Sequence, residues 1–214
     1  MAIKLVILDF DGTLADTTGV ILRTQQGTIK ELGLPARSDE QCTALIGLPL
    51  DVTVKTLFPE GGFDPALYQA TYRRLFKENE KLTPAPLYEG VLETLKALKD
   101  RGLVLTIASS RNKPSLLDYC NRLGFEPYIG YVLGAGDVEK PKPEPDPVLK
   151  TLEDLGFSGD EALVVGDTPF DVLMGVRAGA HAFGVSYGNG SPAEMTEAGA
   201  ERILDSFSEL LDLI

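Results

Sequence analysis

Four short stretches of the chain are almost continuously apolar: residues 3–8, 103–108, 162–165 and 182–185. Runs of this length without polar alternation predict strands of a parallel sheet covered on both faces. Residues 128–133 and 202–204 are weaker candidates for further strands. Between these runs the apolar positions change to helical spacing. Val91, Leu92, Leu95 and Leu98 form one stripe that stops at Arg101-Gly102, and Leu116, Leu117, Cys120 and Leu123 form a second before Gly124. Val148, Leu149, Leu152 and Leu155 form a third before Gly156, and Val172, Leu173 and Val176 a fourth near Gly179. Glycine just past the last periodic position is a helix stop. Phe207, Leu210, Leu211 and Ile214 suggest a last helix. Strand and helix in alternation predict an α/β fold, a doubly wound, Rossmann-like parallel sheet.

The alternation fails between residues 15 and 83. Val20, Ile21, Gln25, Thr28, Ile29 and Leu32, and later Leu67, Tyr68, Tyr72, Leu75 and Phe76, have helical spacing, with no strand pattern among them. The run Leu82-Thr83-Pro84-Ala85-Pro86 resists helix and marks the far end. The expected organisation is a core of residues 1–14 and 84–214, with a small helical cap domain, residues 15–83, inserted after the first strand. An insert there sits at the carboxyl edge of the sheet, where open α/β sheets bind ligands.

Composition narrows the partners. The 214 residues carry a formal net charge of −12. That argues against nonspecific nucleic-acid binding, which needs basic surface, and against docking on an anionic membrane. A local metal site can still hold a small anion despite the global field. The two cysteines, Cys42 and Cys120, lie in no metal-ligand spacing and read as reduced, partly buried thiols. The first apolar run is shorter than a signal peptide needs, and none reaches membrane-span length. The expected location is the cytoplasm, as a monomer or homodimer.

Acidic residues fall where the predicted strands end. Asp9 and Asp11 come directly after the first strand in Leu8-Asp9-Phe10-Asp11-Gly12-Thr13, and i, i+2 alternation puts both on one side. Two such carboxylates repel unless a proton or cation intervenes, and a hard cation such as Mg²⁺ suits oxygen ligands. Alone, Asp-x-Asp-Gly is equally a strand-to-turn signal. Gly166-Asp167-Thr168-Pro169-Phe170-Asp171 places two more carboxylates after the third strand, although Asp171, in the first turn of a helix, also reads as a cap. Ser109 and Ser110 come after the second strand. Either hydroxyl can hold a phosphate oxygen, and either can simply cap a turn. Lys140-Pro141-Lys142-Pro143 is stiff and extended, so a lysine held there could offset several carboxylates. Gly134-Ala135-Gly136 is too incomplete to be a nucleotide loop.

Taken in order, these motifs resemble the haloacid dehalogenase superfamily, in its helical-cap branch of phosphoglycolate phosphatase-like and β-phosphoglucomutase-like proteins. The resemblance spans essentially the whole chain. It implies that Asp9 is a nucleophile that becomes an aspartyl phosphate, and that Asp11 is the general acid/base. It implies phosphate-binding roles for Ser109 or Ser110 and for Lys142, chosen over Lys140 by its spacing into the next helix. It implies Mg²⁺ held by Asp9, Asp167 and the Asp11 backbone carbonyl, with Asp171 as a supporting or water-mediated ligand.

Asp11 also selects among branches, because the true dehalogenases of this family lack an acid there. The implied activity is a Mg²⁺-dependent phosphatase acting on a small phosphorylated metabolite such as phosphoglycolate, a sugar phosphate or pyrophosphate. The rival is a phosphoglucomutase. Mutases of this type carry Arg and Lys near the cap loop, whereas Ile46-Gly47-Leu48-Pro49-Leu50 is apolar, with Arg37 before it and Lys55 after it. Arg23, Lys55, Arg73 and Arg74 are candidate cap contacts, although each is more readily read as part of a solvated helix face. A catalytically silent binding protein would lack a motif residue, and none is missing.

Overall fold

The structure, a computed structural model, describes residues 3–214. Among them, β1 (Leu5–Leu8), β2 (Val104–Asn112), β3 (Ile129–Ala135), β4 (Ala162–Gly166), β5 (His181–Val185) and β6 (Arg202–Leu204) form one parallel sheet in the order β3-β2-β1-β4-β5-β6. The central strand β1 is wholly buried and pairs Leu5 with Val104 on one side and with Ala162 on the other. The order reverses between β1 and β4, so a crevice opens at the carboxyl ends of these two strands.

The insert between β1 and β2 is helical: α1 (Thr18–Glu31), α2 (Asp39–Thr43), α3 (Leu50–Leu57) and α4 (Pro65–Leu82). It packs around Ile29, Cys42, Val54, Leu57, Phe58 and Tyr68, a cluster separate from those against the sheet. The chain enters and leaves it side by side. Asp16 N donates to Pro86 O at 2.9 Å and Tyr88 N to Leu14 O at 3.0 Å. The remaining helices are α5 (Val91–Asp100), α6 (Lys113–Arg122), α7 (Asp146–Leu155), α8 (Pro169–Arg177), α9 (Pro192–Glu197) and α10 (Leu210–Leu213).

Period-two alternation along β1 assigns its residues to opposite faces. Val6 and Leu8 pack with Leu95 and Leu98 of α5 and Leu116 of α6. Leu5 and Ile7 pack with Val148 of α7 and Met174 of α8. Covering both faces explains why the strands read as unbroken apolar runs.

The structure departs from the sequence reading in four places. β1 starts at Leu5 rather than residue 3, because its partners β2 and β4 begin level with Leu5. β2 does not stop at Ala108. It continues to Asn112 through a register shift against β3, so Ser109, Ser110 and Arg111 lie inside the strand. Gly134 makes room for this irregularity, since a Cβ there would lie 2.6 Å from Lys113 N and 2.8 Å from Arg111 O. The expected last helix is split into a 3₁₀ turn, Phe207–Glu209, and then α10. α9, opened by a Ser191–Glu194 capping box, had no apolar stripe to announce it. Both cysteines are free and buried, as expected. Among the described residues, no helix is long and apolar enough to cross a membrane.

Candidate active site

Asp9 leaves β1 still held in the sheet, its N–H donating to Val165 O at 2.9 Å. That bond aims its side chain into the crevice between β1 and β4. Asp167, just after β4, and Asp171, in the first turn of α8, converge on the same point. One carboxylate oxygen from each of the three lies within 4.8 Å of the others, and all three residues are buried. Lys142 reaches them from the proline-rich segment before α7. Its ammonium donates to Asp9 Oδ1 and, at 2.6 Å, to Asp171 Oδ1. Lys140 stays exposed. Asp171 is both a member of this carboxylate cluster and the cap of α8. Its Oδ1 takes Lys142, while its Oδ2 accepts from Thr168 N at 3.2 Å and Thr168 Oγ at 2.6 Å, forming the capping box of α8.

Asp11 points elsewhere. Its carboxylate accepts from Thr17 Oγ at 2.7 Å and from the guanidinium of Arg111, whose Nε lies 3.0 Å from Oδ2 and whose Nη2 donates to Oδ1. The Arg111 side chain is buried, its guanidinium carbon 4.6 Å from the centre of the Phe76 ring of α4 and 5.0 Å from that of Tyr119. Burial works against the Arg111 charge, but Asp11 outweighs it and holds the guanidinium's pKa above its ordinary value.

A cleft of about 1070 Å³ opens between the core and the helical insert above these residues. Asp9, Asp11, Ser109, Ser110 and Arg111 line it from the core, and Ile46, Leu48, Tyr72 and Phe76 line it from the insert. The two serines differ. Ser110 Oγ donates its proton to Gly47 O of the apolar cap loop at 2.7 Å. Ser109 Oγ accepts from Arg111 N at 3.2 Å, which leaves its own proton to give. Of the four cap cations singled out in the sequence, Arg73 lines the cleft and Arg23, Lys55 and Arg74 do not. Arg37 is held away by Glu60 at 2.6 Å.

The sequence profile of the haloacid dehalogenase-like hydrolases matches residues 6–185. The chain belongs to this family. It is 34% identical to the probable phosphatase IndB of Dickeya dadantii, covering 97% of this chain and 91% of that one. Pyrophosphatase PpaX of Bacillus pumilus is 31% identical, covering 99% of this chain and 96% of its own. A phosphoglycolate phosphatase of Aquifex aeolicus is 34% identical over 82% of this chain and 81% of its own. Among solved structures, a subfamily IA hydrolase of the superfamily from Geobacter sulfurreducens superimposes with a TM-score of 0.70 at 28% identity, covering 99% of this chain and 96% of that one.

The charge at the centre of this hydrolase is unbalanced: three buried carboxylates face one ammonium. Burial pushes the Asp9 carboxyl well above its ordinary range, Lys142 opposes this, and Asp171, Asp167 and Asp11 add to it. Burial, then Asp171, pushes Asp167 up to about 7 against two hydrogen bonds from Asn189. Burial opposes the Lys142 charge, yet Asp171 and Asp9 together keep its pKa above the usual lysine value. One divalent cation would neutralise the remaining excess. Asp9 Oδ2 and Asp167 Oδ1 share only the Thr13 hydroxyl, at 3.4 and 3.2 Å, among the described residues. An oxygen-only, partly uncommitted donor set of this kind fits a hard cation.

A pH prediction arises from the raised carboxylate. An acid whose folded pKa exceeds its unfolded one stabilises the fold fully below the unfolded value near 3.8, and loses that contribution as pH rises through about 7. The metal-free hydrolase is therefore expected to lose stability from this cluster between about pH 5.5 and about pH 8. Added Mg²⁺ should raise Tm by several degrees more at the higher pH, since 1 kcal/mol moves Tm by about 2–4 °C at this size. Thermal unfolding with and without Mg²⁺ at both pH values checks this, and a Mg²⁺ effect larger at low pH would contradict it.

Sequence reasoning missed three contributors. Asn189, in the turn after β5, binds Asp167 Oδ2 through its N–H at 2.7 Å and through Nδ2 at 2.9 Å, and its Oδ1 accepts from Thr18 Oγ of α1 at 2.8 Å. Gly188-Asn189-Gly190 is a turn signal whose task depends on which strand neighbours β5. Thr13 looks in the sequence like no more than the end of the first motif, and Arg111 like one more polar residue after Ser109.

Proposed function

We propose that the chain is a Mg²⁺-dependent phosphatase of small phosphorylated metabolites, working through an aspartyl phosphate on Asp9. The supporting observation is Asp9 itself: the one member of the buried carboxylate cluster that also lines the cleft, with Lys142 beside it. The names of the relatives, phosphatase, pyrophosphatase and phosphoglycolate phosphatase, all denote release of phosphate from an ester or anhydride.

In this reading Asp9 and Asp167 hold the Mg²⁺, supported by Asp171 and the Asp11 backbone carbonyl. Bound there, the ion would supply positive charge that offsets the charge building on the phosphoryl oxygens. A carboxylate oxygen of Asp9 attacks phosphorus as the bond to the leaving oxygen breaks. Asp11, protonated for this step, gives its proton to that oxygen. Water then attacks the aspartyl phosphate, Asp11 takes the water's proton, and the Asp9–phosphorus bond breaks to release phosphate. Splitting hydrolysis in this way replaces one difficult displacement with two easier ones. Lys142 and the Ser109 hydroxyl steady the transferring group. The Arg111 contact with Asp11 must give way when Asp11 carries its proton.

Hydrolysis is favoured over the mutase reaction because the cap loop itself offers a second phosphate no cation. The cap loop is apolar, and Arg37 is engaged by Glu60. Phosphate release from p-nitrophenyl phosphate and a panel of small phosphate esters should require Mg²⁺ and stop with excess EDTA. A mutase would instead convert sugar 1-phosphate to 6-phosphate without net release, which phosphorus NMR reads directly and which would overturn the proposal.

A further inference from the structure

The cleft holds one polar group that nothing in the protein satisfies. Gln25, on the face of α1 turned towards the core, is 2% exposed and lines the cleft with Ile21, Ile46, Tyr72 and Phe76. Its side-chain oxygen is buried without a hydrogen-bond partner. Buried polar atoms are almost always paired, because leaving one unpaired forfeits its hydration with nothing in return. The neighbouring threonines do not share this fate, since Thr24 and Thr28 bond back to Val20 O and Thr24 O at 2.7 Å. An unpaired amide retained in an otherwise apolar wall of the cleft marks a contact for whatever enters it.

Resting on the phosphatase reading above, we propose that Gln25 reads the leaving group, and that the substrates are phosphate monoesters whose leaving group carries a hydroxyl on a compact organic body. An orphaned acceptor needs a donor. A hydroxyl is one, and it can also accept from the amide NH₂ if the group turns. A carboxylate or a second phosphate brings acceptors only. Turning the amide to offer its NH₂ to such an anion leaves the oxygen still unpaired. On the core side of the cleft the Arg111 guanidinium stands against Asp11. The remaining cations of the insert that line the cleft, Arg73, Lys77 and Lys81, are exposed. Phosphoglycolate and pyrophosphate, the substrates in the names of several relatives, are therefore poor matches for this wall.

The test compares kcat/KM of the Mg²⁺-loaded full chain on pentose, hexose and glycerol phosphates with that on phosphoglycolate, pyrophosphate and p-nitrophenyl phosphate. The best hydroxyl-bearing ester should exceed phosphoglycolate and pyrophosphate by at least about tenfold. Gln25→Leu should lower the ratio of kcat/KM on that ester to kcat/KM on p-nitrophenyl phosphate by about 10- to 100-fold, mostly through KM. Its Tm should not fall, since the change removes an unsatisfied polar atom. A ratio unmoved in Gln25→Leu, with or without a lower Tm, overturns the inference, as does phosphoglycolate or pyrophosphate proving the best substrate of the wild type. A wild-type protein that releases no phosphate from any ester, p-nitrophenyl phosphate included, instead overturns the phosphatase reading on which the inference stands.

Discussion

Asp9→Asn is expected to lower kcat for phosphate release by about 10⁴-fold or more while leaving the fold intact. The amide is close to the carboxylate in size and cannot act as the attacking oxygen. Its backbone bond to Val165 O does not involve the side chain, so β1 and β4 keep their register. Lys142 retains Asp171 as a partner at 2.6 Å. The variant also removes a carboxyl that burial and three neighbouring aspartates all disfavour in its charged form. The metal-free Tm of Asp9→Asn should therefore equal or exceed that of the wild type near neutral pH. The stabilisation by Mg²⁺ should shrink, because one of the least committed oxygens of the cluster has gone. Activity and unfolding measured together separate this outcome from simple misfolding. A variant keeping more than about a tenth of wild-type kcat would remove Asp9 from the role of nucleophile.

That prediction depends on residues the sequence offered in plain view. The carboxylates come after strands whose apolar runs are unmistakable, and a strand buried on both faces delivers the residues beyond its carboxyl end to one edge of the sheet. Asp9, Asp167 and Asp171 could be placed at one sheet edge from the sequence, whereas Lys142 is separated from Lys140 only by the family resemblance. Features that depend on one segment approaching another could not be read. The course of Ser109 and Ser110 is set by a shift in β2 that Gly134 in β3 accommodates. The apolar cap loop is tied to the core by a hydroxyl whose neighbour looks identical in the sequence. Asp167 sits in a collar of glycines: at Gly12, which has φ +90°, and at Gly188, a Cβ would overlap its carboxylate. In the sequence these glycines are turn residues. In the fold they are the space the carboxylate occupies, with Asn189 closing another side.

Lys142→Met should be the most damaging single change to stability in the site. Its side chain is 2% exposed and sits between Asp9 and Asp171, which are at least as deeply buried. Methionine fills similar volume but leaves three carboxylates with no countercharge. Breaking a buried ion pair from one side costs about 3–5 kcal/mol, which at this chain length lowers Tm by roughly 6–20 °C. The loss should be smaller near pH 5 than near neutrality, because carboxyls already pushed up by burial then hold protons and need no partner. Turnover should fall by about 10²–10³, the scale seen when one fixed positive group facing developing charge is removed. Lys142→Arg should not rescue either property, since a planar guanidinium does not fit a slot shaped for a compact ammonium. Stability and activity part company in the double variant Lys142→Met with Asp171→Asn. The asparagine can still accept from Thr168 at the start of α8, so the helix cap survives. With one carboxylate fewer to neutralise, Tm should recover by several degrees while kcat stays low, because the charge facing the phosphoryl group is still missing. If the double variant recovered neither, the damage in Lys142→Met would have to come from packing rather than from charge.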